Sequence, residues 1–77
     1  MNKSRRKRIA EAITYIEAAG LILDSVMNEE QDALDNTPEN LQDTDRYSKT
    51  EEGIDILVES IDSLDLAVES LHEITDN

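Results

Sequence analysis

Glu69 and His72 stand three residues apart near the end of this 77-residue sequence, and Glu-x-x-His is the unit from which di-metal sites are built inside four-helix bundles. Such ligands must project into the bundle core. The seven-residue pattern around them puts both outside the apolar seam, so the pair reads as surface or interface. Ser60, Ser63 and Ser70 have no histidine in a pattern that would supply a base. DALDNTPENLQD lacks the central glycine and the carboxylate spacing of an EF-hand loop. With no cysteine there is neither a thiolate metal site nor a disulfide. The sequence therefore predicts no catalytic residue, no metal and no cofactor, and a protein that is not an enzyme.

The side chains left to carry function are acids. Asp55, Asp62 and Glu69 recur at intervals of seven, about 10.5 Å apart along a helix, with Glu59 and Asp65 nearby. A rigid line of this kind could imitate nucleic-acid phosphates and occupy the basic groove of a DNA- or RNA-handling protein. A charge run by itself more often is a solvated face that maintains solubility, although the excess of acids beyond Arg8 exceeds what solubility needs.

A helix must hold that line. Residues 54–74 repeat one pattern in succession, IDILVES, IDSLDLA and VESLHEI, which sets Ile54, Ile61 and Val68 at a and Leu57, Leu64 and Leu71 at d of a packed helix seam. The acids fall at the following b positions. Upstream, residues 4–35 read as a first helix with a broad apolar stripe. Ile9, Ile16 and Leu23 recur at seven, as do Ala12, Ala19, Val26 and Ala33, and as do Ile13, Gly20, Met27 and Leu34. Gly20 would cost about 1 kcal/mol relative to Ala in an exposed helix interior, which predicts compensation by close approach of another helix. Ser4 is the candidate cap.

Residues 36–47 interrupt the pattern. Thr37, Pro38 and Glu39 form a helix-start signal, predicting a short helix over about 38–43, with Leu41 and Tyr47 folding the connection onto the helix ends. Ser48 with Glu51 has capping-box spacing, opening a second helix over about 48–75, with Thr50 as the competing cap. Two helices of similar length with a short connection predict one all-α domain, an antiparallel coiled-coil hairpin spanning 1–77. Facing residues then sum to about 81 or 82, so Met27 meets Ile54, Gly20 meets Ile61 and Ile9 approaches Leu71. Arg5, Arg6 and Arg8 come beside Glu69, Glu73 and Asp76.

Composition constrains the assembly. A chain this short sits where one hydrophobic core barely offsets conformational entropy, and Phe and Trp are absent. Ile56 and Leu66 on the second helix and the heptad pair Tyr15 and Ile22 on the first lie outside the hairpin seam. They predict self-association, a homodimer forming a four-helix assembly.

Charge constrains the partners. The formal net charge is −12, and beyond Arg8 only Arg46 and Lys49 stand against all 19 acids. That field repels phosphate and anionic lipid, which argues against direct nucleic-acid or membrane binding and for a basic protein partner. The run Arg5 to Arg8, without interleaved aromatics, is a weak nucleic-acid or lipid signal. Glu11 and Glu17 interrupt the apolar stretch after it, so neither a signal peptide nor a spanning helix is expected.

NEEQDALDNTPENLQDTDRY and the following ID-x-L-x-E-x-ID-x-L repeat resemble a loose group of short acidic helical-hairpin proteins encoded by bacteriophages and prophages, mainly of Gram-positive hosts. The most specific segment is EEQ-x-A-x-DN-x-PE-x-LQ. The resemblance implies a small phage accessory protein in the cytoplasm of a bacterial host cell, and brings no catalytic residue. Small acidic phage proteins often inhibit host or defence proteins, an association of class. The expected function is therefore inhibition of a basic bacterial protein through Asp55, Glu59, Asp62, Asp65 and Glu69. A structural homo-oligomer, or a nucleotide sponge with Arg5, Arg8 or Arg46 at a subunit interface, remains open.

Overall fold

The computed structural model describes residues 1–76 and consists of two long helices, α1 (Lys3–Asp35) and α2 (Asp45–Thr75), joined through a 3-10 turn at Glu39–Leu41. No strand occurs among the described residues. The helices pack against each other as a hairpin with principal extents of 59 × 14 × 14 Å.

Local hydrogen bonds set the boundaries. Asn2, one step before α1, accepts the Arg5 backbone N–H on Oδ1 at 2.8 Å, so Asn2 is the cap in place of Ser4. No acid lies in the first turn to complement the helix dipole. Arg6 donates instead to the Met1 carbonyl, which lies at the same end. At the other end of α1 the Asn36 side chain donates to the Asp32 carbonyl at 2.8 Å and Thr37 Oγ1 to the Ala33 carbonyl at 2.9 Å. These bonds satisfy carbonyls that the ending helix leaves open. Thr37 thus closes α1 where its sequence context predicted that it would open a helix.

Pro38 precedes the turn, whose Leu41 N–H bonds back to the Pro38 carbonyl at 2.9 Å. The expected helix over 38–43 contracts to this one turn. Thr44 then ends the connection from both sides, donating Oγ1–H to the Leu41 carbonyl at 2.8 Å and accepting the Tyr47 N–H at 3.3 Å. Helix α2 consequently starts three residues before Ser48, and the Ser48–Glu51 spacing falls inside it, with the Ser48 N–H already bonded to the Thr44 carbonyl.

Apolar positions separated alternately by three and four residues meet between the helices. On α1 they are Ile9, Ile13, Ile16, Gly20, Leu23, Met27 and Leu34; on α2 they are Tyr47, Ile54, Leu57, Ile61, Leu64, Val68 and Leu71, all buried or half-buried. The a and d residues expected from the repeat are the ones in the seam. Gly20 and Ile61 line one groove, in keeping with the antiparallel register. Two helices enclose no space, however, and only Ile13 and Ile54, 4% and 8% exposed, are buried among the described residues. The α1 stripe is also narrower than its composition suggests, because Ala12, Ala19, Val26 and Ala33 lie outside the seam and exposed.

Gly20 needs another explanation than close helix approach, since a Cβ there would find no atom within 4 Å. Nothing in the hairpin requires a glycine at this position. Gly20→Ala should therefore raise unfolding free energy by about 0.5–1 kcal/mol, through helix propensity and reduced freedom of the unfolded chain. Ile54→Ala should lower it by about 2–5 kcal/mol, while Val58→Ala changes it by less than about 0.5 kcal/mol. Denaturation followed by circular dichroism measures all three. A destabilised Gly20→Ala variant would mean that another chain fills the space beside Gly20.

Candidate functional site

The seam divides the hairpin surface into two sides. On α1 the seam puts Ile13, Gly20, Met27 and Leu34 at a and Ile9, Ile16 and Leu23 at d; with a and d in the seam, positions b and e of each helix lie on one side, and c and g on the other. Two surface features establish that the sides of α1 and α2 coincide. A groove of about 410 Å³ is lined by Glu17, Leu21 and Asp24 of α1 together with Asp65 of α2, all b or e positions. On the opposite side Ala33 of α1 and Arg46 of α2, both g positions, line one cleft at the connecting end.

Charge is distributed unequally between these sides. On the b/e side Asp55, Asp62 and Glu69 form a line of b positions along α2, with Glu51 and Asp65 at e; all are exposed. Glu59 lies one step farther round α2, at f, on the outer edge of this surface. Helix α1 contributes Glu17 and Asp24 across the groove, an extension that the α2 repeat alone does not reveal. With Asp35 at b near the end of α1, eight exposed acids share one side, and the c/g side carries a single acid, Glu29. Coulomb repulsion within such a surface is relieved when a cationic surface covers it, which is how charge complementarity steers and selects a partner.

The Glu69 and His72 pair belongs to this exposed side. His72 Nδ1 lies 3.7 Å from Asp76 Oδ1 and 3.5 Å from the Thr75 hydroxyl, both neighbours on its own helix. Among the described residues no three His, Asp or Glu side chains gather as metal ligands. No helix among them is long and apolar enough to cross a membrane.

The basic residues lie at the two ends. Arg5, Arg6 and Arg8 form no ion pair with Glu69 or Asp76, so the expected cross-helix pairing with those acids is not formed. Arg46 forms none with Asp43 or Asp45. It lines a cleft of about 530 Å³ with Glu30, Lys49 and Gly53. Tyr47 and Leu41 line the adjoining cleft with Leu34 and Pro38, Tyr47 half-buried and Leu41 still 45% exposed. Because Arg5 and Arg8 stand at the other end of a body 59 Å long, they cannot join Arg46 around one small ligand within a single chain.

The residues expected to mediate self-association are exposed: Tyr15 by 69%, Ile22 by 66%, Ile56 by 62% and Leu66 by 63%. The first three are c positions of their helices and share the acid-poor side. Leu66 lies at f, on the outer edge between the two sides. No known protein family, no curated protein and no solved structure matches the chain, so its own side chains carry the functional interpretation.

Proposed function

We propose that the protein is a non-enzymatic binding module that applies its acidic b/e side to a basic bacterial protein. The observation that supports this is the one-sided placement of acids, eight exposed carboxylates against one across the hairpin. Solubility requires only charge, in any arrangement. A continuous acidic side, held on two packed helices, additionally fixes where a cationic groove can dock. Asp55, Asp62, Asp65 and Glu69 carry the contact together with Glu17 and Asp24, and Glu59 contributes at the edge.

The source and target follow from the sequence resemblance. The protein would be a phage or prophage accessory protein in the bacterial cytoplasm, inhibiting a host or defence protein, with nucleic-acid-handling proteins the favoured class because their grooves are built for phosphate. It would bind neither nucleic acid nor membrane itself. Self-association into a homodimer is part of the same proposal, supported by the exposed apolar residues that the hairpin leaves uncovered.

Affinity of this origin falls steeply with ionic strength, since surface charges separated by more than about 10 Å are largely screened at 0.1 M salt. Immobilised protein should capture a basic protein from bacterial lysate at low salt and release it at high salt. The double charge reversal Asp62→Lys with Asp65→Lys should abolish capture and leave the thermal midpoint within a few degrees of the parent, because both side chains are exposed. Capture that survives the reversal, or that is indifferent to salt, would contradict the proposal.

A further inference from the structure

We infer that the c/g side is covered by a second copy of this chain, so that the two acidic sides of the dimer face away from each other and can engage two basic surfaces at once. Covering by a second copy rests on the surface described below; its bivalent consequence rests on the proposed role of the acids.

The c/g side bears a second seam. On α1, Ala12, Tyr15, Ala19, Ile22 and Val26 follow one another at alternating intervals of three and four, parallel to the first seam and exposed. On α2 the same spacing runs from Arg46 to Ile74 and includes Gly53, Ile56, Ser60 and Ala67. This α2 line contains no acid, although nine of the 31 residues of α2 are acids. Small residues predominate at g and larger ones stand at c. Small residues admit close helix approach, and the larger ones then insert between them.

Three physical arguments select a second copy. First, copies with a net charge of −12 repel each other least where acids are fewest, and that is the c/g side, where Glu29 stands alone. Second, a surface 59 Å long and 14 Å wide offers a footprint of roughly 800 Å², the area each partner contributes to a stable interface. Third, the charges are complementary along the edges. Arg5, Arg8, Arg46 and Lys49 lie at the ends of the c/g side, and the f-position acids Glu11, Asp32 and Glu52 flank it at the same two ends. Both ends have cations and edge acids, so a two-fold pairing brings cations to the partner's acids in either orientation.

The test is the mass of the full chain in solution, by light scattering and sedimentation equilibrium, and it needs no target. The parent protein should have the mass of a dimer. Ala19→Glu should raise the dimer dissociation constant at least about 100-fold, since it would bury an unpaired charge in the interface. Ala19 is exposed within one hairpin and Glu is a good helix former, so the substitution is harmless unless a second chain covers the site. A variant that becomes monomeric therefore supports the inference whether it remains helical or unfolds. Val58→Glu, on the b/e side, should leave the dimer intact. A monomeric parent, a dimeric Ala19→Glu variant, or equal loss of the dimer in Val58→Glu would overturn it. A dimeric parent that captures no basic protein at low salt would instead fault the acidic-side proposal alone.

Discussion

A two-helix hairpin has a seam but no interior, and the other features of this protein depend on that constraint. Seam residues pack on the opposite helix and leave part of their surface in water, which is why a run of well-placed Ile, Leu and Val produces only two buried side chains among the described residues, Ile13 and Ile54. Aromatic side chains, which bury the most area per residue, are missing from the seam except for Tyr47 at its connecting end. Hydrophobic stabilisation is therefore small relative to the entropy lost in ordering the chain. A second line of small and apolar residues along each helix is the natural remedy, and both helices have one.

The two lines also give the charge pattern a purpose. In an antiparallel pair the residues flanking the seam fall into two sides, and here one side carries acids and the other small and apolar residues. Had the acids been scattered over both sides, the chain would be equally soluble but would have no surface on which copies could meet. Concentrating them separates two tasks on one narrow body. In the proposed assembly electrostatics would govern contact on the b/e side and close packing would govern it on the c/g side.

Much of this organisation is legible in the sequence, because the heptad repeat from Ile54 to Leu71 reports helix, seam and acidic line together. The antiparallel register follows from matching helix lengths, and Gly20 does share a groove with Ile61. The caps are less legible. Asn2 competes with Ser4, and Thr44 with Ser48, and the outcome turns on single hydrogen bonds that residue type alone does not decide. The breadth of the α1 stripe is ambiguous for a different reason: Ala12, Ala19 and Val26 have the same seven-residue spacing as the seam, and only the packed partner separates one line from the other. Glu17 and Asp24 join the acidic side only once α1 is laid against α2, so no pattern within α2 can identify them.

The central claim is that the two sides of the hairpin have different occupants. Hydroxyl-radical footprinting of the full-length protein compares them directly, because Tyr15 and Leu21 are 69% and 74% exposed within a single hairpin but lie on opposite sides. At concentrations where the chain is assembled, oxidation of Tyr15, Ile22 and Ile56 should fall well below that of the dilute protein, with Leu21 and Val58 unchanged. Unaltered oxidation of Tyr15, Ile22 and Ile56 on concentration, or equal protection of Leu21 and Val58, would contradict the account.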